Sequence, residues 1–184
     1  MQAKIRQLTL LLGTDLPLAA GLIAIDVIAR LLPHAWNVSP VAASALFAGM
    51  VLRSRMLALA VPLSAMLGSD LVLGRSDWAM TAVVYIALLV PALLGICARG
   101  HKKAVVIVPL VIASSTIFFL ATNFAVWALS GMYEHTSSGL LQCYLAALPF
   151  FHQTLAGDAF WTVVLFGGYW MAGRLHATRH SAHA

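Results

Sequence analysis

The chain has 184 residues, of which 61% are hydrophobic and 9% are Asp, Glu, Lys or Arg, and its formal net charge is +5. Soluble domains carry about 25% charged residues, so this composition, with a mean hydropathy of +0.91, predicts lipid as the solvent. At about 20 residues per crossing, six helices and short loops use nearly the whole length and leave no room for a soluble catalytic or ATP-binding domain. The basic excess does not suggest nucleic acid, because Lys and Arg fall in short clusters between apolar runs, where they suit anionic headgroups.

Taken in order, residues 1–12 hold Lys4 and Arg6. They are expected to lie along the inner interface or to extend the first helix; no small-residue cleavage pattern follows, so they read as mature sequence. The first span is expected at 16–32, capped by Thr14 or Asp15 with Pro17 in its first turn, and Pro33 ends it. Residues 34–40 form a loop by their prolines and polar side chains. The second span, 40–52, is short and rich in small residues (Ala42, Ala43, Ser44, Ala45, Ala48, Gly49). These allow close backbone approach, which predicts a central helix.

The third span is expected at 56–73, with Asp70 near its end, the fourth at 78–97 and the fifth at 104–129. The fifth is longer than a bilayer needs, so it is expected to tilt. A polar stretch, 130–138, follows. Residues 140–151 are apolar but too short to cross, and are expected as a separate interfacial or re-entrant helix ended by Pro149. The sixth span is expected at 159–175. The fold expected is therefore all-α: one polytopic membrane domain of about six transmembrane helices plus one short non-spanning helix.

Counting Lys and Arg gives the orientation. Lys4, Arg6, Arg53, Arg55, Arg99, Lys102, Lys103, Arg174 and Arg179 fall on one side, and Arg30 and Arg75 on the other. The positive-inside rule makes the first side cytoplasmic, with both termini there, in a bacterial inner membrane. The residues that need explaining then gather at the outer end: His34, Trp36, Asn37, Asp70, Asn123, Trp127, Tyr133, Glu134, His135, Cys143, Tyr144, His152 and Asp158. An outward-opening polar and aromatic pocket follows as an expectation.

Each feature also has a plainer reading. Asp26 and Arg30 are four apart and are expected to form an intrahelical ion pair. Asp70 either caps or pairs near the interface, with Arg75 in reach, or serves the pocket. Asn123 suits a bridge between helices or a substrate contact. Ser114 and Ser115 are expected to bond back to their own helix. Trp78, Trp161 and Trp170 read as an aromatic belt. His34, His135 and His152 show no HxxxH or HExxH spacing, and no CxxC, Walker A or nucleophile-elbow pattern is present, so an enzyme is not the expected reading and no intrinsic cofactor is expected.

Four stretches carry a resemblance: 32–43 (LPHAWNVSPVAA), 62–74 (PLSAMLGSDLVLG), 118–127 (FFLATNFAVW) and 139–151 (GLLQCYLAALPFF). In this order they resemble a family of bacterial six-helix membrane proteins of poorly defined function. That family in turn resembles the S-components of energy-coupling factor (ECF) vitamin transporters, six-helix proteins that bind a vitamin near the outer face. The BtuM-type cobalamin transporters are solitary members of that wider group. The resemblance implies uptake of a vitamin or cofactor precursor, cobalamin being the first expectation, with an ECF-type energising module as a possible partner. Ala20 and Ala24 match the small-xxx-small pattern that S-components turn toward such a partner.

In the binding reading, Trp36, Trp127 and Tyr133 supply apolar contact, while His34, Asn37, Asp70 and Asn123 supply hydrogen bonds. BtuM-type proteins ligate cobalt with a cysteine shortly before a tyrosine. Here Tyr85 is present, but Met80 holds the upstream position. A corrinoid cobalt would then be left with His34 or Cys143, since imidazole and thiolate both suit transition metals. The rival expectations are a membrane enzyme using Asp70, His34 and His152 on a lipid-linked substrate, and a structural subunit of a membrane complex.

Overall fold

The computed structural model describes the backbone of residues 2–33, 38–74 and 77–181, and the side chains of residues 13, 15–33, 38–74 and 77–174. These residues form six helices: α1 (Gln2–Leu31), α2 (Val41–Val51), α3 (Arg55–Leu73), α4 (Trp78–Cys97), α5 (Ala104–Leu129) and α6 (Ser137–Ser181). The fold is all-α among the described residues. By length and composition, α3, α4 and α5 are apolar enough to cross a membrane. The expected count of six such helices is not met. α2 has only 11 residues, and α1 and α6, although long, are less apolar on average than α3, α4 and α5.

Two boundaries differ from the sequence reading. The short helix expected at 140–151 and the span expected at 159–175 are one continuous helix, α6, with Pro149 inside it. Proline lacks the N–H that a helix interior uses. Packing on both sides of Pro149 carries the helix through: Tyr144 donates to the carbonyl of Leu120 at 2.8 Å, and Phe151 stacks on Phe119 at 4.8 Å. Likewise α1 starts far ahead of Asp15, so Asp15 caps nothing in its own helix. Its carboxylate accepts instead from the backbone N–H of Ser54 at 2.8 Å. Ser54 is the N-cap of α3 and accepts from Leu57 N–H at 3.3 Å.

The helices form an open ring around α2. In order round the ring, α1 touches α3, α3 touches α4, α4 touches α5 and α5 touches α6, while α2 touches all five. Among the described residues α1 and α6 make no direct contact, and α2 is the one helix that touches both. The small residues of α2 explain its place. A Cβ added at Gly49 would land on the carbonyl of Ala92, and one at Gly95 on the carbonyl of Leu46. The backbones of α2 and α4 therefore cross in contact, and nine of the 11 residues of α2 are buried.

Polar bonds mark the two ends. At one, Arg99 donates from Nε to the carbonyl of Gly49 at 2.8 Å and from Nη1 to that of Arg53 at 3.1 Å. It thereby closes the C-terminus of α2, where the helix dipole is negative. Burial, with Arg55 adding to it, lowers the guanidinium's proton affinity from its usual value. Lys102 sits over the ring of Tyr169 and donates to its hydroxyl at 3.0 Å. This is the basic end. The outward surface carries large apolar side chains along its length: Met56, Leu71, Trp78, Val105 and Val163 are each more than 70% exposed.

Candidate functional site

The mostly apolar interior holds a minority of polar and charged side chains. All four helical aspartates, Asp15, Asp26, Asp70 and Asp158, are buried. Away from the basic end, Arg30 of α1 reaches α3. Its Nε donates to Ser69 Oγ at 2.6 Å and its Nη2 pairs with Asp70 Oδ1 at 2.9 Å. Tyr85 of α4 donates to the second oxygen of Asp70 at 3.0 Å. Three helices are thus tied through one carboxylate. This corrects the expected Asp26–Arg30 pair: four-residue spacing brings both to one face, but Arg30 meets a carboxylate and a hydroxyl together on α3. Arg75, the other partner considered for Asp70, lies outside the described residues.

One turn below Arg30, Asp26 accepts from Ser44 of α2 and leaves its other oxygen without a protein partner. Across the bundle, Ser115 of α5 donates to Asp158 of α6 at 2.6 Å and also to its own helix at Val111. Ser114, expected to bond back, has a buried hydroxyl with no partner, as has Thr162, one turn along α6 from Asp158. A layer of serines and aspartates therefore lies beneath the Arg30–Asp70 tie.

Above this layer is a cavity of about 180 Å3 to which every helix or its flank contributes. Arg30 comes from α1, Val41 and Ala42 from the first turn of α2 with Ser39 before it, and Met66 from α3. Val84 and Leu88 come from α4, Phe118 from α5, and Thr154 and Asp158 from α6. The first turn of α2 is held only weakly. Its N-cap, Pro40, offers no side-chain bond, and Val41 N–H lies 3.4 Å from Ser39 Oγ. A second cavity of about 260 Å3 adjoins the first through Val84, Phe118 and Thr154. It adds Phe119, Thr122, Asn123, Phe150 and Phe151. Phe118 is 11 residues from the end of α5, so the first cavity lies about 16 Å below that end.

The residues singled out in the sequence are distributed as follows. Asp70 and Tyr85 share the Arg30 tie at the rim. Asn123 lines the second cavity, with its amide donating to Phe119 of its own helix at 2.8 Å. Tyr144 packs on Phe119. Cys143 is buried and donates from Sγ to the carbonyl of Asn123 at 3.4 Å. Trp127 donates to the carbonyl of Glu134 at 2.9 Å and stacks on Phe124 and His135. Tyr133 is half-buried and His152 is exposed, and neither lines these cavities. His34, Trp36 and Asn37 lie outside the described residues.

No group of three metal-binding side chains occurs among the described residues. Ala20 and Ala24 both face outward. The sequence reading places Asp158 on the outer side without a site role of its own and gives Arg30 only the pair with Asp26. The signal was there, since both are charges in apolar runs.

The fold and this site define an all-α bundle with large apolar side chains outside, four aspartates buried within a mainly apolar core, and a hollow toward one end. The chain belongs to DUF6580, a family of unknown function, whose match spans residues 12–181. No curated protein and no solved structure matches the chain. The family match states no activity, so the tie to vitamin transporters rests on the sequence resemblance alone.

Proposed function

We propose that this protein is embedded in the inner membrane with all six helices in the bilayer, and that it captures a small solute from the outer side for uptake. The single observation that carries the reading is the hollow beside the first turn of α2, lined from all six helices and charged within. Burying four aspartates while exposing large apolar side chains is costly in water and reasonable in lipid. The cluster of Arg53, Arg99 and Lys102 at the opposite end supports a cytoplasmic position for that end under the positive-inside rule. The cavity then faces the periplasm.

Size narrows the occupant. Sites for drug-sized ligands occupy about 300–1,000 Å3, and the two adjoining hollows are of about 180 and 260 Å3. A one- or two-ring vitamin or cofactor precursor suits this space better than a corrin macrocycle, so the proposal favours a molecule smaller than cobalamin. Uptake in the manner of an S-component would be powered by a separate energising module. Native mass spectrometry of the detergent-released protein tests the binding step. A small adduct is expected on the wild type and should disappear in Ala42→Phe, which fills the first cavity. Persistence of the adduct in that variant would place the ligand elsewhere.

A further inference from the structure

From the charges around the first cavity we infer that its ligand is a small aromatic or heteroaromatic cation, with Asp158 as the counter-ion. This rests on the solute-binding reading above and adds the class of solute. Around the cavity Arg30 contributes one positive charge, and Asp70, Asp26 and Asp158 three potential negative ones. Arg30 is already committed to Asp70 and Ser69. The first turn of α2 adds only the partial charge of its amides, about half a unit.

Asp158 faces the cavity, is 5% exposed, and has no ion-pair partner among the described residues. Its one side-chain hydrogen bond comes from Ser115. α2 and α5, the helices packed against α6, carry no titratable side chain along their lengths. On α6 itself the nearest such groups are His152, which is exposed, and Tyr169, which engages Lys102 at the basic end. A buried carboxylate without a counter-charge is costly unless something pairs with it. A cationic group in the cavity supplies the pairing.

The rest of the lining describes the body of that ligand. Phe118 belongs to both cavities, and Phe119, Phe150 and Phe151 line the second. Aromatic faces accept flat rings, and they also attract cations. A ring seated among these phenylalanines, with a protonated nitrogen toward Asp158, uses both cavities at once.

Three probes of nearly equal size separate charge from shape: benzylamine, benzyl alcohol and phenylacetate. Each is titrated calorimetrically into the detergent-purified full chain. Benzylamine should bind at least tenfold more tightly than benzyl alcohol, and phenylacetate most weakly. In Asp158→Asn the benzylamine preference should vanish while benzyl alcohol binding stays unchanged. Ser115→Ala, which keeps the carboxylate, should retain the preference. Equal binding of all three by the wild type, or a preference that survives Asp158→Asn, overturns the cation assignment but leaves the cavity reading standing. Tightest binding of phenylacetate would transfer recognition to Arg30 and also overturn it. Binding of none overturns both readings. The wild-type comparison decides the matter even if Asp158→Asn fails to fold.

Discussion

Arg30 and Asp70 meet where α1, α3 and α4 converge, and removing Arg30 leaves the buried Asp70 carboxylate with no counter-charge and only the Tyr85 hydroxyl as its side-chain donor among the described residues. Arg30→Ala is expected to lower stability by about 3 kcal/mol, the usual cost of orphaning one member of a buried pair. Thermal unfolding in detergent checks this as a fall in Tm. The double variant Arg30→Met, Asp70→Leu should recover most of the loss, because two apolar side chains of similar volume leave no orphan. Asn123→Ala should be mild by comparison, since its amide serves its own helix, and its effect should appear in ligand retention rather than in Tm. Asp70 was legible in the sequence as a membrane-helix carboxylate needing a partner. Its partner was not, because Arg30 is 40 residues away and spacing along one helix favours Asp26. Long-range pairing depends on which helices are neighbours, and no local pattern encodes that.

At the scale of elements, the crossing of α2 and α4 has no space for a side chain. Gly49→Val is expected to cost more than the roughly 1–3 kcal/mol typical of overpacking, because the added atoms meet backbone rather than movable side chains. Loss of the monodisperse peak in gel filtration would show it, and Gly95→Val should behave alike. An exposed control, Gly168→Val, has open space around its Cβ and should elute as the wild type does. The run of small residues in α2 made its central place readable in advance. The ends of α3, α4 and α5 also agree with the sequence reading to within a residue. What misled was proline. Pro149 in an apolar stretch of apparent half-span length suggests a stop, but the packing of α5 against both flanks keeps α6 continuous, and only the assembled pair shows it.

At the scale of the molecule, the proposed orientation has a direct test. In a Cys97→Ser background, His135→Cys should react with an impermeant maleimide in intact spheroplasts, whereas Lys102→Cys should react only after lysis. The reverse pattern would place the cavity mouth in the cytoplasm and remove the case for uptake. The apolar exterior was plain from composition. The hollow itself was not, because it arises where six helices end or pass at different heights.

Because α2 is the one helix that touches both α1 and α6 among the described residues, this single short rod works as a keystone that takes thrust from both flanks. Ser44 engages Asp26 on one side, and Phe47 lodges against Phe166 and Tyr169 on the other. Any motion that parts the flanks must first loosen one of those two grips.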